Sequence, residues 1–181
     1  MTTTTQLSCA CGKLHLAVEG APILVAECHC DSCRAAAGRL GALPRAQPIT
    51  EPNGGTHYVL YRKDRVRFTA GTEHMHAFRL TPESPTRRVV ATCCNTPLFT
   101  EFQNGHWLSL FGRLWPDGER PKAAMRTMTS DLPAGTVLSN DIPNAGRQSL
   151  GFFGKLLLAW VAMGFRTPKI AVAGDLPAGR A

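Results

Sequence analysis

All seven cysteines of this 181-residue chain fall into three tight groups, Cys9 with Cys11, Cys28 with Cys30 and Cys33, and Cys93 with Cys94. An odd count leaves one thiol over in any disulfide scheme, and cysteines a single residue apart rarely reach bridge geometry. Zinc suits the number. A closed structural site takes four protein ligands and an open site three, and two zinc ions per chain would then use all seven.

Cys28-His29-Cys30-Asp31-Ser32-Cys33 is the sharpest part of the pattern. In an extended or turning backbone the thiolates of Cys28 and Cys30 point to one side, and the two-residue gap to Cys33 curls a third back toward them. Three thiolates leave a zinc ion with net negative charge, a poor setting for splitting water. It is a good one for holding a fourth thiolate that stays nucleophilic at neutral pH. The same spacing also reads as a structural knuckle completed from elsewhere. His29 should project to the opposite face, which places it on the surface or behind the ligands. Asp31 and Ser32 read as N-cap residues of a short helix over Arg34 to Arg39, whose N-terminus would favour anionic sulfur beside it.

The order C-x-C, then C-H-C-x-x-C-R, then a cysteine directly before N-T-P-L-F resembles the glutathione-dependent formaldehyde-activating enzymes, a family that includes centromere protein V. The likeness spans roughly residues 7 to 113. It implies that Cys9 and Cys11 join a later C-x-x-C around a structural zinc, and that Cys28, Cys30 and Cys33 form the catalytic set around a second. It also implies an Mss4-like fold, with paired sheets folded over the two sites. The later motif departs from the family: Cys94 keeps its place before T-P-L, while Ala91 stands where the other ligand is expected. Cys93 is the expected substitute, which requires a sharp backbone turn because neighbours on a strand point to opposite sides. The alternative is a three-cysteine site completed by histidine or water, with Cys93 merely buried.

Elsewhere the apolar period is that of strands, over Lys13 to Val18, Ile23 to Ala26, Thr56 to Tyr61, Arg65 to Thr69, His76 to Leu80, Val89 to Ala91, Thr96 to Phe102 and His106 to Phe111. Asn104-Gly105 joins the last two as a hairpin turn. The fold class is all-β, with a zinc-binding domain over 7–130 and an extension over 131–181. Pro44 to Gly55, rich in Pro and Gly, is a loop placed to wall a substrate site. Within the extension, Leu150 to Phe165 is apolar on every side if helical, with Ser149 as cap and Pro168 as stop. An apolar helix over 149–165 is short for a membrane span and is interrupted by Lys155. It suits packing on the sheet or on a second subunit, and its basic flanks permit contact with a membrane surface.

The formal charge of +7 invites a nucleic-acid reading. Seven metal-bound thiolates subtract seven charges and two divalent ions restore four, leaving +4, and stacking aromatics are sparse, so no nucleic-acid partner is expected. Arg62, Lys63, Arg65, Arg67, Arg87 and Arg88 read as solvent-facing strand positions or as capture points for the carboxylates of a glutathione-like thiol. Tyr58, Tyr61 and Phe68 face the core, Trp107 and Trp115 are core or pocket wall, and His74 with His76 are not assigned to metal. Met1 to Gln6 has neither the basic start nor the apolar centre of a secretory leader, so the expectation is a cytoplasmic protein with reduced thiols. Two function classes stay open. One is a zinc-dependent carbon–sulfur lyase or synthase acting on adducts of a small aldehyde with glutathione or a similar thiol. The other is a non-catalytic zinc module for protein, membrane or nucleic-acid interaction.

Overall fold

The computed structural model describes residues 3–176. In chain order these form β1 (Thr4–Ser8), β2 (His15–Glu19), β3 (Leu24–Cys28), α1 (Asp31–Gly41), β4 (Thr56–Arg62), β5 (Val66–Ala70), β6 (Met75–Phe78), β7 (Thr86–Ala91), β8 (Thr96–Phe102), β9 (Trp107–Phe111), β10 (Met125–Thr127), α2 (Leu150–Ala162) and β11 (Gly174–Asp175). The chain is thus mostly β-sheet with two short helices. β1, β2 and β5 make a small antiparallel sheet, and the other eight strands run β10-β3-β4-β9-β8-β7-β6-β11. Among the described residues, the edge strands β10 and β11 pair in parallel and the others antiparallel.

The large sheet is buried on both faces, which explains continuous runs such as Tyr58-Val59-Leu60-Tyr61. Val59, Tyr61, Val25, Val89 and Leu110 face a core shared with Leu7, Leu16 and Val18 of the small sheet. Tyr58, Leu60, Ala26, Val90 and Phe111 face a second core closed by Ala36 and Leu40 of α1 and Leu156 of α2. The cysteines divide the same way. Cys9 and Cys94 belong to the first core, with Cys93 packed against it, while Cys33 belongs to the second, with Cys28 and Cys30 beside it.

Three local expectations need correction. Helix α1 is capped by Cys30, not by Asp31 or Ser32: Cys30 is the last extended residue, and its Sγ accepts from the Cys33 amide at 3.3 Å. Helix α2 begins at its Ser149 cap as the pattern indicates but stops at Ala162, because Gly164 and Phe165 take left-handed backbone angles. The loop Pro44 to Gly55 lines no part of the cavity beside Cys28, Cys30 and Cys33. It passes behind that loop, where the His29 ring occupies the space a Cβ at Gly55 would need. Strand β1 escapes pattern reading because Leu7 is its only buried residue, and β10 and β11 are too short to show a period.

The extension is bound to the β domain at several points. Arg126 on β10 donates to Asp141 at 2.9 Å and to the Ser139 carbonyl at 3.0 Å. His106 bonds the Leu156 carbonyl through Nε2 at 2.8 Å and stacks on Trp160. Arg87 donates to the Ile170 carbonyl at 2.7 Å, and β11 extends the sheet beside β6. No helix among the described residues is long and apolar enough to cross a membrane.

Candidate metal centres

Cys9 and Cys11 lie in the loop between β1 and β2, and Cys93 and Cys94 in the loop between β7 and β8, so two hairpins from different sheets meet at sulfur. All four Sγ atoms lie within 4.8 Å of one another. Cys9 is 3.6 Å from Cys11 and 3.7 Å from Cys93, and Cys93 is 3.9 Å from Cys94. Zn–S bonds of about 2.3 Å at tetrahedral angles place sulfurs about 3.8 Å apart, so the spacing fits one zinc-sized ion. Residues 92 to 95 form a tight turn in which the Cys94 amide donates to the Ala91 carbonyl at 3.2 Å and Asn95 is left-handed at φ 57°. That turn lets adjacent cysteines converge, and Cys93 stands with the other three where Ala91 could not.

The loop is reinforced around the sulfurs. Cys9 Sγ accepts from the Leu14 amide at 3.3 Å, and the Thr96 hydroxyl lies 3.0 Å from Cys94 Sγ while accepting from the Ala10 amide at 3.0 Å. Burial pushes the Cys93 thiol up. Burial acts the same way on Cys94, but the Thr96 hydroxyl and neighbouring amides outweigh it and bring that thiol down to about 6. One thiol already acidic and one strongly resisting ionisation is the state that a shared cation resolves.

The second cluster is built by one short segment. Cys28 ends β3, Cys30 caps α1 and Cys33 lies in its first turn, with the three sulfurs within 4.8 Å of one another. Among the described residues no fourth histidine, cysteine or carboxylate joins them. His29 is fully buried rather than on the surface, and its Nε2 points toward Glu27 at 3.9 Å, outside the sulfur group. Hydrogen bonds from the Cys28 and Cys33 thiols hold Cys30 far below the ordinary thiol range, and the same contact drives Cys28 far above it. Soft thiolates of this kind favour soft or borderline metal ions over hard cations.

This cluster opens on a cavity of about 400 Å³ between the large sheet and α2. Tyr58, Thr100 and Arg88 line its floor, and Phe152, Phe153 and Leu156 of α2 its roof. Tyr58 is buried, which raises its phenol well above the ordinary range and keeps it protonated; its hydroxyl lies 3.6 Å from Cys33 Sγ and 3.1 Å from the Thr100 hydroxyl. Trp107 is also a wall of this cavity, whereas Trp115 stacks on Tyr61 in the other core. His74 and His76 belong to neither sulfur group. Pattern reading misses Tyr58, Thr100 and the α2 roof as parts of the site. Only Arg88 left a signal, as a charged residue running straight into the buried strand residues Val89, Val90 and Ala91.

A family of unknown function, DUF6151, matches residues 1–113, well over half the chain. The chain belongs to DUF6151. The matched segment of the DUF6151 protein contains all seven cysteines and ends before α2, the roof of the cavity. No curated protein matches. Among solved structures, a Rhodobacter sphaeroides protein determined as a Northeast Structural Genomics target is similar at 16% identity and a TM-score of 0.45, over 65% of this chain and 92% of that one.

Proposed function

We propose that the protein is a zinc-dependent carbon–sulfur lyase or synthase that adds a small aldehyde to glutathione or a similar thiol, or reverses that addition. The observation that carries this reading is a three-thiol cluster, without a fourth protein ligand among the described residues, opening on a cavity. Cys28, Cys30 and Cys33 would hold a zinc ion that, when bound, would lower the pKa of a thiol entering its fourth position and leave that sulfur nucleophilic. In the addition the sulfur forms a bond to the carbonyl carbon, the carbonyl π pair moves to oxygen, and that oxygen takes up a proton equivalent to the one the thiol released. No oxidant or reductant is needed.

The chain's own residues would do the rest. Cys28, Cys30 and Cys33 hold the ion from one loop, the N-terminus of α1 places amide dipoles beside anionic sulfur, and α2 with Trp107 excludes water from above. The four-sulfur centre of Cys9, Cys11, Cys93 and Cys94 is a closed structural zinc in this reading. The order of the cysteine motifs supports an Mss4-like arrangement and kinship with the glutathione-dependent formaldehyde-activating enzymes. Seven unbridged thiols accord with a reducing, cytoplasmic setting. Carboxylate pairing of most of the basic cluster supports the absence of a nucleic-acid partner. A second reading, a non-catalytic module, is favoured by the exposed Leu157, Leu158 and Val161 of α2. Metal analysis combined with adduct formation, followed by NMR on labelled formaldehyde and thiol, separates the two. Two zincs and accelerated adduct exchange support the enzyme, and two zincs with exchange no faster than in buffer support the module.

A further inference from the structure

The basic cluster of the sequence sorts unequally. Arg62 pairs with Asp64, Lys63 and Arg87 with Glu101, and Arg65 and Arg67 with Glu19. Arg88 has no carboxylate partner among the described residues. It is also almost entirely buried, at 1% exposure. Its Nη2 donates to the carbonyl of Ser32 at 3.0 Å and to its hydroxyl at 2.9 Å, while Nε and Nη1 have no hydrogen-bond partner. A guanidinium removed from water without an anion is strongly unfavourable, so the position implies an acceptor still to come.

Two anions could supply the charge. Three thiolates and a divalent ion sum to minus one, which would attract Arg88 through space. They leave its Nε and Nη1 without an acceptor, since no cysteine sulfur bonds either atom. A carboxylate comes closer to the requirement: Nε and Nη1 point to different sides of the guanidinium, so one carboxylate can take either of them together with Nη2, a charge-assisted contact that the sulfurs do not make. Ser32, which tethers Arg88, lies between Cys30 and Cys33, so such a carboxylate would sit beside the metal loop. The remaining chemistry of the cavity narrows the ligand further. Leu60, Phe102, Trp107, Phe152 and Leu156 make its walls largely apolar, and no aspartate or glutamate lines it. A ligand's ammonium group would find no carboxylate there, only neutral oxygens such as those of Thr86, Thr100 and Gln148.

We propose that the thiol taken up at the three-cysteine centre carries a single carboxylate on a short apolar frame, that Arg88 binds this carboxylate, and that such thiols are preferred over glutathione with its ammonium and second carboxylate. This rests on the reading that the centre accepts a thiol. The protein carrying cobalt(II) in place of zinc is titrated with 3-mercaptopropionate, 2-mercaptoethanol and glutathione, read by the sulfur-to-cobalt charge-transfer band. The unmodified protein should bind 3-mercaptopropionate about tenfold more tightly than either of the others, as a charge-assisted bidentate contact implies. Arg88→Met should narrow the ratio to 2-mercaptoethanol to about twofold, and Arg88→Lys should recover part of it. If Arg88→Met weakens both thiols equally, Arg88 is only a countercharge to the metal centre and the proposal fails. Should that variant not fold, the ranking of the three thiols by the unmodified protein decides: no preference for 3-mercaptopropionate overturns the proposal. Thiols that bind without such a preference sink this inference alone. If no thiol shifts the band, the open-position reading falls and takes the inference with it.

Discussion

The four-sulfur and three-sulfur clusters lie in the two different cores that flank one sheet, and they differ in what they join. Cys9 and Cys11 come from the small sheet and Cys93 and Cys94 from the large one, more than eighty residues away. A metal there fastens two layers together. Cys28, Cys30 and Cys33 come from a single strand-to-helix junction, so a metal there fastens little that the backbone has not already joined. The first brings four sulfurs together within a set of hydrogen bonds; the second stops at three sulfurs among the described residues and faces a cavity. In the proposed reading, ligand count and chain separation give opposite roles to chemically identical donors.

The largest expected effect comes from breaking the first cluster. Cys11→Ser should give unfolded or insoluble protein, because apparent binding free energies of about 10–16 kcal/mol at structural zinc sites match or exceed the usual stability of a domain. Cys30→Ser should leave a soluble, folded chain with one zinc fewer; serine also caps helices well, so α1 keeps its N-cap while the soft ligand is lost. Zinc analysis and circular dichroism on the two variants check this pair. Equal unfolding of both would make the central site structural.

Truncation after Arg147 tests what lies over the three-sulfur site. Removing α2 strips Leu156, Ala159 and Met163 from their buried positions and should cause aggregation, seen by size-exclusion chromatography. The exposed Leu157, Leu158, Val161 and Phe165 set up a competing result. If the full chain floats with liposomes while the truncated chain stays soluble and monomeric, α2 is a membrane anchor rather than a roof. A smaller effect is expected for Tyr58→Phe, which removes the hydroxyl next to Cys33 Sγ and Thr100: stability should fall by about 1 kcal/mol in urea unfolding, with thiol affinity at the central site reduced and zinc content unaltered. Ser149→Ala, which removes the α2 cap, should cost about 1 kcal/mol or less and loosen thiol binding slightly while leaving both metals in place.

Much of this comparison was legible in the cysteine spacing, because coordination chemistry is local and demands particular residues at particular intervals. Thr96 to Phe102 reads as a strand for the same reason: its period and its bounding turns are local signals. The roles of Arg88 and α2 were not legible in this way. Arg88 stands beside Arg87 in the sequence, yet Arg87 meets Glu101 on β8 and Arg88 meets Ser32 of α1. Those partners are set by strand pairing and by which face of the sheet each residue occupies. Helix α2 announces its cap and its apolarity, but an all-apolar helix carries no mark of which side is covered. The fully buried state of His29 depends on Gly55, a loop residue distant in sequence, and no pattern around Cys28 foretells it.

The proposed chemistry requires the three-cysteine centre to keep a position open for a thiol. Proton release on adding a small thiol to the fully zinc-loaded protein at neutral pH measures this directly, since a free thiol titrates near pH 8.5 and enters as thiolate. One proton should be released per chain, saturably, and none from Cys30→Ser. No proton release from a protein shown to hold two zinc ions would contradict that chemistry.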